Sequence, residues 1–152
     1  MARSHNPLIF DADVLTNWLT REQTATHVLW KAPLALMELG EAGTLDGCVT
    51  LTTLLELRAL LRRKKGLGEL TLRNHVDRLT RIVRIVIPDT LSMLRADRLQ
   101  TAHPLSAFDA ILLAATLTAN GVLVTRDEPL RKIAGRFVGA QTPELALARL
   151  KR

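Results

Sequence analysis

Short apolar runs alternate along this chain with longer segments in which apolar residues recur every three or four positions. The short runs predict strands over residues 8–10, 48–51, 82–87 and 122–125, with a weaker strand that includes Phe137 and Val138. The longer segments predict helices over about 14–43, 53–65, 70–81, 89–99 and 106–120, with a last helix from Pro143. Pro33 is expected to break or kink the first of these helices. Because strands alternate with helices, we predict a three-layer α/β/α sandwich around a mostly parallel central sheet.

Length and composition fit one domain. The chain has 152 residues, 47% of them hydrophobic, and it shows no internal repeat, linker or low-complexity tract. Residues 1–152 are therefore expected to form a single domain. Cys48 is the only cysteine, which excludes an internal disulfide and favours a reducing cytoplasm. We expect this residue to pack within a strand.

Neither a membrane span nor a secretion signal is expected. Residues 110–125 are uncharged, but Asn120 and Gly121 interrupt them, and the stretch is shorter than the roughly 20 apolar residues of a membrane helix. Asp11 and Asp13 lie inside the apolar N-terminal stretch, which also lacks a small-residue cleavage site. The sequence therefore predicts a cytoplasmic protein.

The charge balance indicates an anionic partner. Lys and Arg number 21 against 15 Asp and Glu, which gives a net charge of +6 and favours nucleic acid. The basic run at 62–65 ends a predicted helix, so it either complements the helix dipole or contacts RNA. Arg58 and Arg126 could each pair with a carboxylate or a phosphate. Only 3% of residues are aromatic, so Trp18 and Trp30 are expected to fill a core or a subunit interface rather than stack on bases.

Four acidic residues stand where predicted elements begin or end. Asp11 and Asp127 close apolar strands, whereas Glu56 and Asp109 open helices. In open α/β sheets, ligands collect outside the carboxyl ends of the strands, so these four side chains can meet in one crevice. Taken singly, each acid also has an ordinary structural role. Glu56 and Asp109 fit capping boxes that start at Thr53 and Ser106, and strand-end Asp residues often stabilise turns.

Four carboxylates in one crevice would require a cation. Two of them about 4 Å apart repel by roughly 4 kcal/mol at an effective dielectric near 20. Oxygen-only ligands suit Mg²⁺ or Mn²⁺, and the four histidines and single cysteine form no zinc-binding pattern. We expect Asp11 and Asp109 to be the main metal ligands. Asp127 and Glu56 would bind directly or through water, and one of them would orient the attacking water.

Three stretches carry a family resemblance that spans nearly the whole chain: LIFDADVL at 8–15, TLLELRALL at 53–61 and SAFDAILLAATLTANGVLVTRD at 106–127. Together they resemble a PIN domain, and within that group the VapC-type toxins of toxin-antitoxin pairs. The resemblance assigns the acidic site to Asp11, Glu56, Asp109 and Asp127, with Thr125 as a supporting hydroxyl. It implies a metal-dependent endoribonuclease that forms a homodimer and is inhibited by a cognate antitoxin, with the apolar early helices as the partner-binding surface.

The chain departs from this pattern at two places. Asp13 stands where relatives often carry Asn or another small polar residue, which offers an extra acid beside Asp11. Glu128 and Pro129 follow the last Asp, where relatives often have further acidic or aromatic residues. The number of metal ions and the rim of the pocket therefore stay open.

Three alternatives remain at the level of sequence. The first is a PIN-type RNA-processing nuclease without an antitoxin, and the second is a non-catalytic PIN module that binds RNA or protein. In the third, LIFDADVL also resembles the Asp-x-Asp strand end of haloacid-dehalogenase-type phosphatases, in which Asp11 would be a nucleophile. That last alternative does not explain Glu56.

Overall fold

Five short parallel strands form the centre of the molecule. In the computed structural model, which describes residues 5–152, they are β1 (Leu8–Phe10), β2 (Gly47–Thr50), β3 (Arg84–Val86), β4 (Val122–Val124) and β5 (Gly139–Gln141). They lie side by side in the order β3-β2-β1-β4-β5, and every neighbouring pair is parallel. The parallel central sheet predicted from the alternation of elements is thus confirmed.

Within residues 5–152, eight helices connect and cover the strands. They are α1 (Ala12–Leu19), α2 (Lys31–Glu41), α3 (Leu51–Arg63), α4 (Glu69–Ile82), α5 (Thr90–Ala102), α6 (Ala107–Thr118), α7 (Glu128–Ala134) and α8 (Pro143–Leu150). No helix within residues 5–152 is long and apolar enough to span a bilayer.

The two faces of the sheet bury two separate apolar clusters, because successive strand residues point to opposite sides. Leu8 and Phe10 pack with apolar residues of α1, α2, α3, α4 and α8. Ile9, between them, packs on the other face with residues of α5, α6 and α7. Burial of each large side chain of this kind contributes about 1.5–3 kcal/mol. The arrangement is the expected three-layer α/β/α sandwich.

The first helical stretch differs from the prediction. Instead of one segment over 14–43 kinked at Pro33, the chain forms α1 and α2, separated by the loop 20–30. Arg21 turns the backbone with a φ of +49°, and an antiparallel bridge joins Gln23 to Val28. Pro33 lies in the first turn of α2, where no intrahelical donor is lost, so it starts a helix rather than kinking one.

Other boundaries shift by small amounts. The weak strand expected at Phe137 and Val138 is instead β5, which begins at Gly139. Helix α7 was not predicted, since its seven residues are too few to show a helical apolar repeat. Cys48 is buried in β2 and Trp18 in the core, as expected.

Candidate functional site

The sheet reverses its winding direction between β1 and β4, and the acidic residues lie around this edge of the sheet. From β1 the chain proceeds to β2 on one side, and from β4 to β5 on the other. The helices that follow these two strands diverge, which leaves a crevice at the carboxyl ends of the strands. Asp11 and Thr125 lie directly after β1 and β4, and the Asp11 amide donates to the Val124 carbonyl at 3.0 Å.

Asp11 is held rigidly at the bottom of this crevice. Its Oδ1 accepts from the Ala12 amide at 2.7 Å, which caps α1, and its Oδ2 accepts from the Thr125 hydroxyl at 2.7 Å. The residue is only 6% exposed. Burial, with a further contribution from the charge of Asp13, raises the Asp11 pKa to about 7, although both hydrogen bonds oppose the shift.

Thr125 links Asp11 to Asp127. Its buried Oγ1 donates to Asp11 and accepts from the Asp127 amide at 3.1 Å. Asp127 itself is exposed and caps α7, because its Oδ1 accepts from the Leu130 amide at 3.0 Å. Sequence reasoning placed Asp127 at a strand end, and the structure adds that it also starts a helix.

Glu56 approaches the crevice from α3. The expected capping box at Thr53 is wrong: Thr50 caps this helix, accepting from the Thr53 amide at 3.0 Å, so Glu56 lies in the second turn. Its carboxyl is therefore not used as a cap. Burial and the charges of Asp11 and Asp109 raise the Glu56 pKa to about 7.

Asp109 lies in the first turn of α6. The expected cap is confirmed here, since Ser106 Oγ accepts from the Asp109 amide at 3.2 Å. Burial and the charge of Asp127 raise the Asp109 pKa, while a hydrogen bond with Ser106 opposes the shift. Repulsion thus couples Asp109 to both Asp127 and Glu56.

Asp13 is a fifth acid at the same edge. Its Oδ2 accepts from the Arg126 amide at 3.0 Å and lies 3.4 Å from Thr125 Oγ1, while its Oδ1 accepts from the Val14 amide at 2.6 Å. Burial raises its pKa, against the opposing effect of Arg126, and the charge of Asp127 adds to the rise. Asp13 therefore holds the turn that carries Asp127.

The five acids share one edge of the sheet, but they do not form a closed metal cage. Within residues 5–152, no three His, Cys, Asp or Glu side chains are grouped closely enough to hold an ion. The donors nevertheless fit a hard divalent cation, because they are all oxygens and because burial and nearby negative charge raise the pKa values of Asp11, Glu56 and Asp109. Sharing an ion would require the side chains to draw closer together.

Arg126 joins the site to the rest of the fold, a role that the sequence did not indicate. Its Nε donates to Asn17 Oδ1 at 2.6 Å, and its Nη2 donates to the Leu29 carbonyl at 2.8 Å and to Glu144 Oε1 at 2.8 Å. The sequence left a carboxylate or a phosphate as possible partners of Arg126, and the structure shows that it pairs with the carboxylate of Glu144. Arg58 likewise lies 3.4 Å from Glu69.

Comparison with known proteins identifies the fold. The family model of the PIN domain matches residues 8–136. No match was found among curated protein sequences. The family match supports the resemblance seen in the sequence over the phosphatase alternative.

Solved structures share the architecture at low sequence identity. The crystal structure of PAE2754 from Pyrobaculum aerophilum matches with a TM-score of 0.70 and 17% identity, over 95% of this chain and 89% of the other. VapBC2 from Rickettsia felis, bound to a DNA fragment from its promoter, matches with a TM-score of 0.68 and 11% identity, over 89% of this chain and 97% of the other. FitAcB from Neisseria gonorrhoeae matches with a TM-score of 0.64 and 17% identity, over 90% of this chain and 98% of the other.

Proposed function

This chain belongs to the PIN-domain family, a family of nucleases, and we propose that it is a metal-dependent endoribonuclease acting as the toxin of a type II toxin-antitoxin pair. The observation that carries the catalytic part is the meeting of Asp11, Glu56, Asp109 and Asp127 at the switch point of the sheet. The raised pKa values of Asp11, Glu56 and Asp109, together with the oxygen-only chemistry of all four side chains, favour Mg²⁺ or Mn²⁺ as the cofactor.

Each acid has a distinct position in the proposed site. Asp11 and Asp109 would be the principal metal ligands, since Asp11 is buried at the end of β1 and Asp109 is half-buried at the start of α6, on a different side of the crevice. Asp127 and Glu56 would bind directly or through water, and one of them would orient the attacking water. Thr125 fixes the Asp11 carboxylate through its 2.7 Å hydrogen bond. When bound, Mg²⁺ or Mn²⁺ would acidify a water molecule and neutralise charge on the leaving oxygen.

RNA is the proposed substrate. The proposed location of the protein is the cytoplasm. The net charge of +6 favours a polyanion. A single strand can enter an open crevice at the edge of a sheet, whereas a duplex presents its bases and backbone on a rigid cylinder.

The toxin role is supported by the fold neighbours. The structures of VapBC2 and FitAcB share the fold over about nine tenths of this chain. We propose that an antitoxin binds this chain and blocks its crevice, and that the chain forms a homodimer. Exposed apolar residues on α5 support the dimer, among them Leu91 and Leu94, which are 62% and 56% exposed. By contrast, the large apolar residues of α1 and α2 mostly fill the core.

The catalytic proposal is tested by cleavage of single-stranded RNA with and without Mg²⁺. Asp11→Asn should reduce the rate at least about 100-fold, because it removes the charge of a principal metal ligand. Asp97→Asn is the matched control, since it makes the same change at an exposed position of α5. Unchanged cleavage by Asp11→Asn, or cleavage in EDTA, would contradict the proposal.

Expression in a bacterial host separates a toxin from a processing nuclease. A toxin should arrest growth when expressed alone, and Asp11→Asn should restore growth. If the purified protein cleaves RNA but causes no arrest, the chain is a PIN-type RNA-processing nuclease without an antitoxin. If RNA binds without metal-dependent cleavage, it is a non-catalytic binding module.

A further inference from the structure

A groove runs from the acidic edge of the sheet between α1 and α3. It has a volume of about 250 Å³ and is lined by Asp13, Thr16, Asn17, Glu22, Leu60, Lys64 and Lys65; we call it the α1/α3 groove. The α1 wall uses residues spaced three and four apart, which lie on one helix face. Asp13 marks one end, where it contacts the Thr125–Asp127 turn of the candidate site. Through Asp13, this end of the groove adjoins the candidate site.

The other end of the groove is basic. Lys64 and Lys65 follow the last helical residue of α3, whereas their neighbour Arg62 is paired with Glu69 at 2.9 Å. No ion pair to Lys64 is found among residues 5–152. Two of the four cations in the basic run at 62–65 thus line the groove, and Lys64 remains available for an anion.

The spacing along α3 suits a nucleic-acid strand. Glu56, Leu60 and Lys64 recur at four-residue intervals, so they follow one side of the helix from the acidic site to the basic end. Eight residues of helix span about 12 Å, which is a distance of one or two nucleotides in a single strand. A strand with one phosphate at the acids would bring a neighbouring phosphate to the lysines.

We propose that the α1/α3 groove binds the RNA strand beside the scissile phosphate, with Lys64 and Lys65 contacting backbone phosphates. This inference rests on the proposed nuclease function and names its substrate path. Leu60 is the apolar residue among those that line the groove. Phosphate contacts of this kind position the strand without reading its sequence.

Glu22 regulates the basic end. Its Oε1 lies 3.5 Å from Lys65 Nζ, and its Oε2 accepts from Asn17 Nδ2 at 3.0 Å. In the absence of RNA, this carboxylate neutralises Lys65, and it repels a phosphate that enters the groove. Neutralising Glu22 should therefore strengthen RNA binding, which is the opposite of the lysine substitutions.

Binding is measured in the Asp11→Asn background so that the RNA stays intact. The probe is a labelled single-stranded RNA of about 12 nucleotides, followed by fluorescence anisotropy between about 50 and 200 mM salt. Lys64→Ala and Lys65→Ala should each raise Kd about threefold to tenfold and lower the salt slope by about 0.7, the value for one lost phosphate contact on a single strand. Glu22→Gln should lower Kd.

Arg63→Ala is the matched control, because it removes the same charge from the same helix end at an exposed position outside the groove. If Lys64→Ala and Lys65→Ala bind RNA like Arg63→Ala, the inference is overturned. Cleavage by the wild-type protein is scored separately. If the lysine substitutions weaken RNA binding but the wild-type protein does not cleave RNA, the groove is supported and the proposed nuclease function is rejected. If the wild-type protein cleaves RNA but the lysine substitutions do not weaken binding, the nuclease function is supported and the groove is rejected.

Discussion

Thr125 Oγ1 donates a 2.7 Å hydrogen bond to Asp11 Oδ2 across 114 residues of sequence. The same buried hydroxyl accepts from the Asp127 amide at 3.1 Å. One side chain therefore fixes two acids that follow neighbouring parallel strands. Because a hydroxyl can donate and accept at once, Thr125 is matched to this position in a way that no apolar residue of equal size can be.

Replacing Thr125 should separate positioning from packing. Thr125→Val keeps the shape but leaves the Asp127 amide without its acceptor, so we expect RNA cleavage to fall about tenfold to 100-fold and the free energy of unfolding to drop by about 1–3 kcal/mol. Thr125→Ser retains the hydroxyl and should keep most of the activity. Equal activity of Thr125→Val and Thr125→Ser would show that the hydrogen bond does not position the acids.

The buried acids should make the metal-free protein less stable as pH rises. The pKa values of Asp11 and Glu56 are about 7 in the folded protein, above their values in an unfolded chain. Between about pH 4 and 7 the folded state thus retains protons that the unfolded state has lost, so unfolding becomes easier as pH increases. Their stabilising contribution is complete below pH 4 and is lost by pH 7.

Asp11→Asn should remove part of this pH dependence. The free energy of unfolding is measured by urea unfolding in EDTA at about pH 5 and at about pH 8. The difference between variant and wild type should shift by about 1–2 kcal/mol in favour of the variant from the lower to the higher pH. The Asn side chain also loses a hydrogen bond, but the cost of that loss is the same at both pH values and drops out of the comparison. Asp97→Asn, at an exposed position, should follow the wild-type curve. If the free energy of unfolding changes equally in the variant and in wild type between the two pH values, the raised pKa of Asp11 is contradicted.

Arg126 should anchor α8 and the loop 20–30 to the site. Arg126→Ala leaves Asn17, the Leu29 carbonyl and Glu144 without their donor, so we expect it to cost about 2–3 kcal/mol in urea unfolding. Glu144→Gln should cost at most about 1 kcal/mol, because the Glu144 side chain is 52% exposed. Arg98→Ala, an exposed arginine on α5, serves as the reference, and an equal loss in Arg126→Ala would refute the anchoring role.

The homodimer should depend on the exposed apolar residues of α5. We predict that the wild-type protein is dimeric by light scattering and that the double substitution Leu91→Glu and Leu94→Glu makes it monomeric, because charged residues there would oppose burial. Leu70→Glu changes a residue that is 71% exposed on α4 and should leave the dimer intact. A monomeric wild type would exclude this interface.

Periodicity was sufficient to predict the alternation of strands and helices along the chain and the three layers, because β1 and β4 are short apolar runs bounded by clear stop signals. Local sequence was less informative where long-range contacts decide the structure. No local pattern indicates the turn at Arg21, whose loop is held by the Arg126 hydrogen bond to the Leu29 carbonyl at 2.8 Å. The ends of α7 do carry local signals, with Asp127 as its cap and Pro129 in its first turn, but its seven residues are too few for an apolar repeat.

The acids could be proposed from sequence because strand ends and helix starts collect at one edge of a parallel sheet. Their surroundings could not. Glu144 is 18 residues from Arg126, and Asn17 is 109 residues away, so nothing in the spacing links them. Glu56 shows the limit of a local pattern, since its capping box fits the sequence but Thr50 caps the helix.

Direct titration of Mn²⁺, followed by its electron paramagnetic resonance signal, tests whether the acids share a divalent ion. We predict that wild-type protein binds Mn²⁺ and that Asp109→Asn and Glu56→Gln each weaken binding at least about tenfold, because each removes one oxygen ligand. Asp97→Asn should bind like wild type. If wild-type protein takes up no Mn²⁺, or if all of these variants bind it equally, the acids at the switch point do not form a metal site.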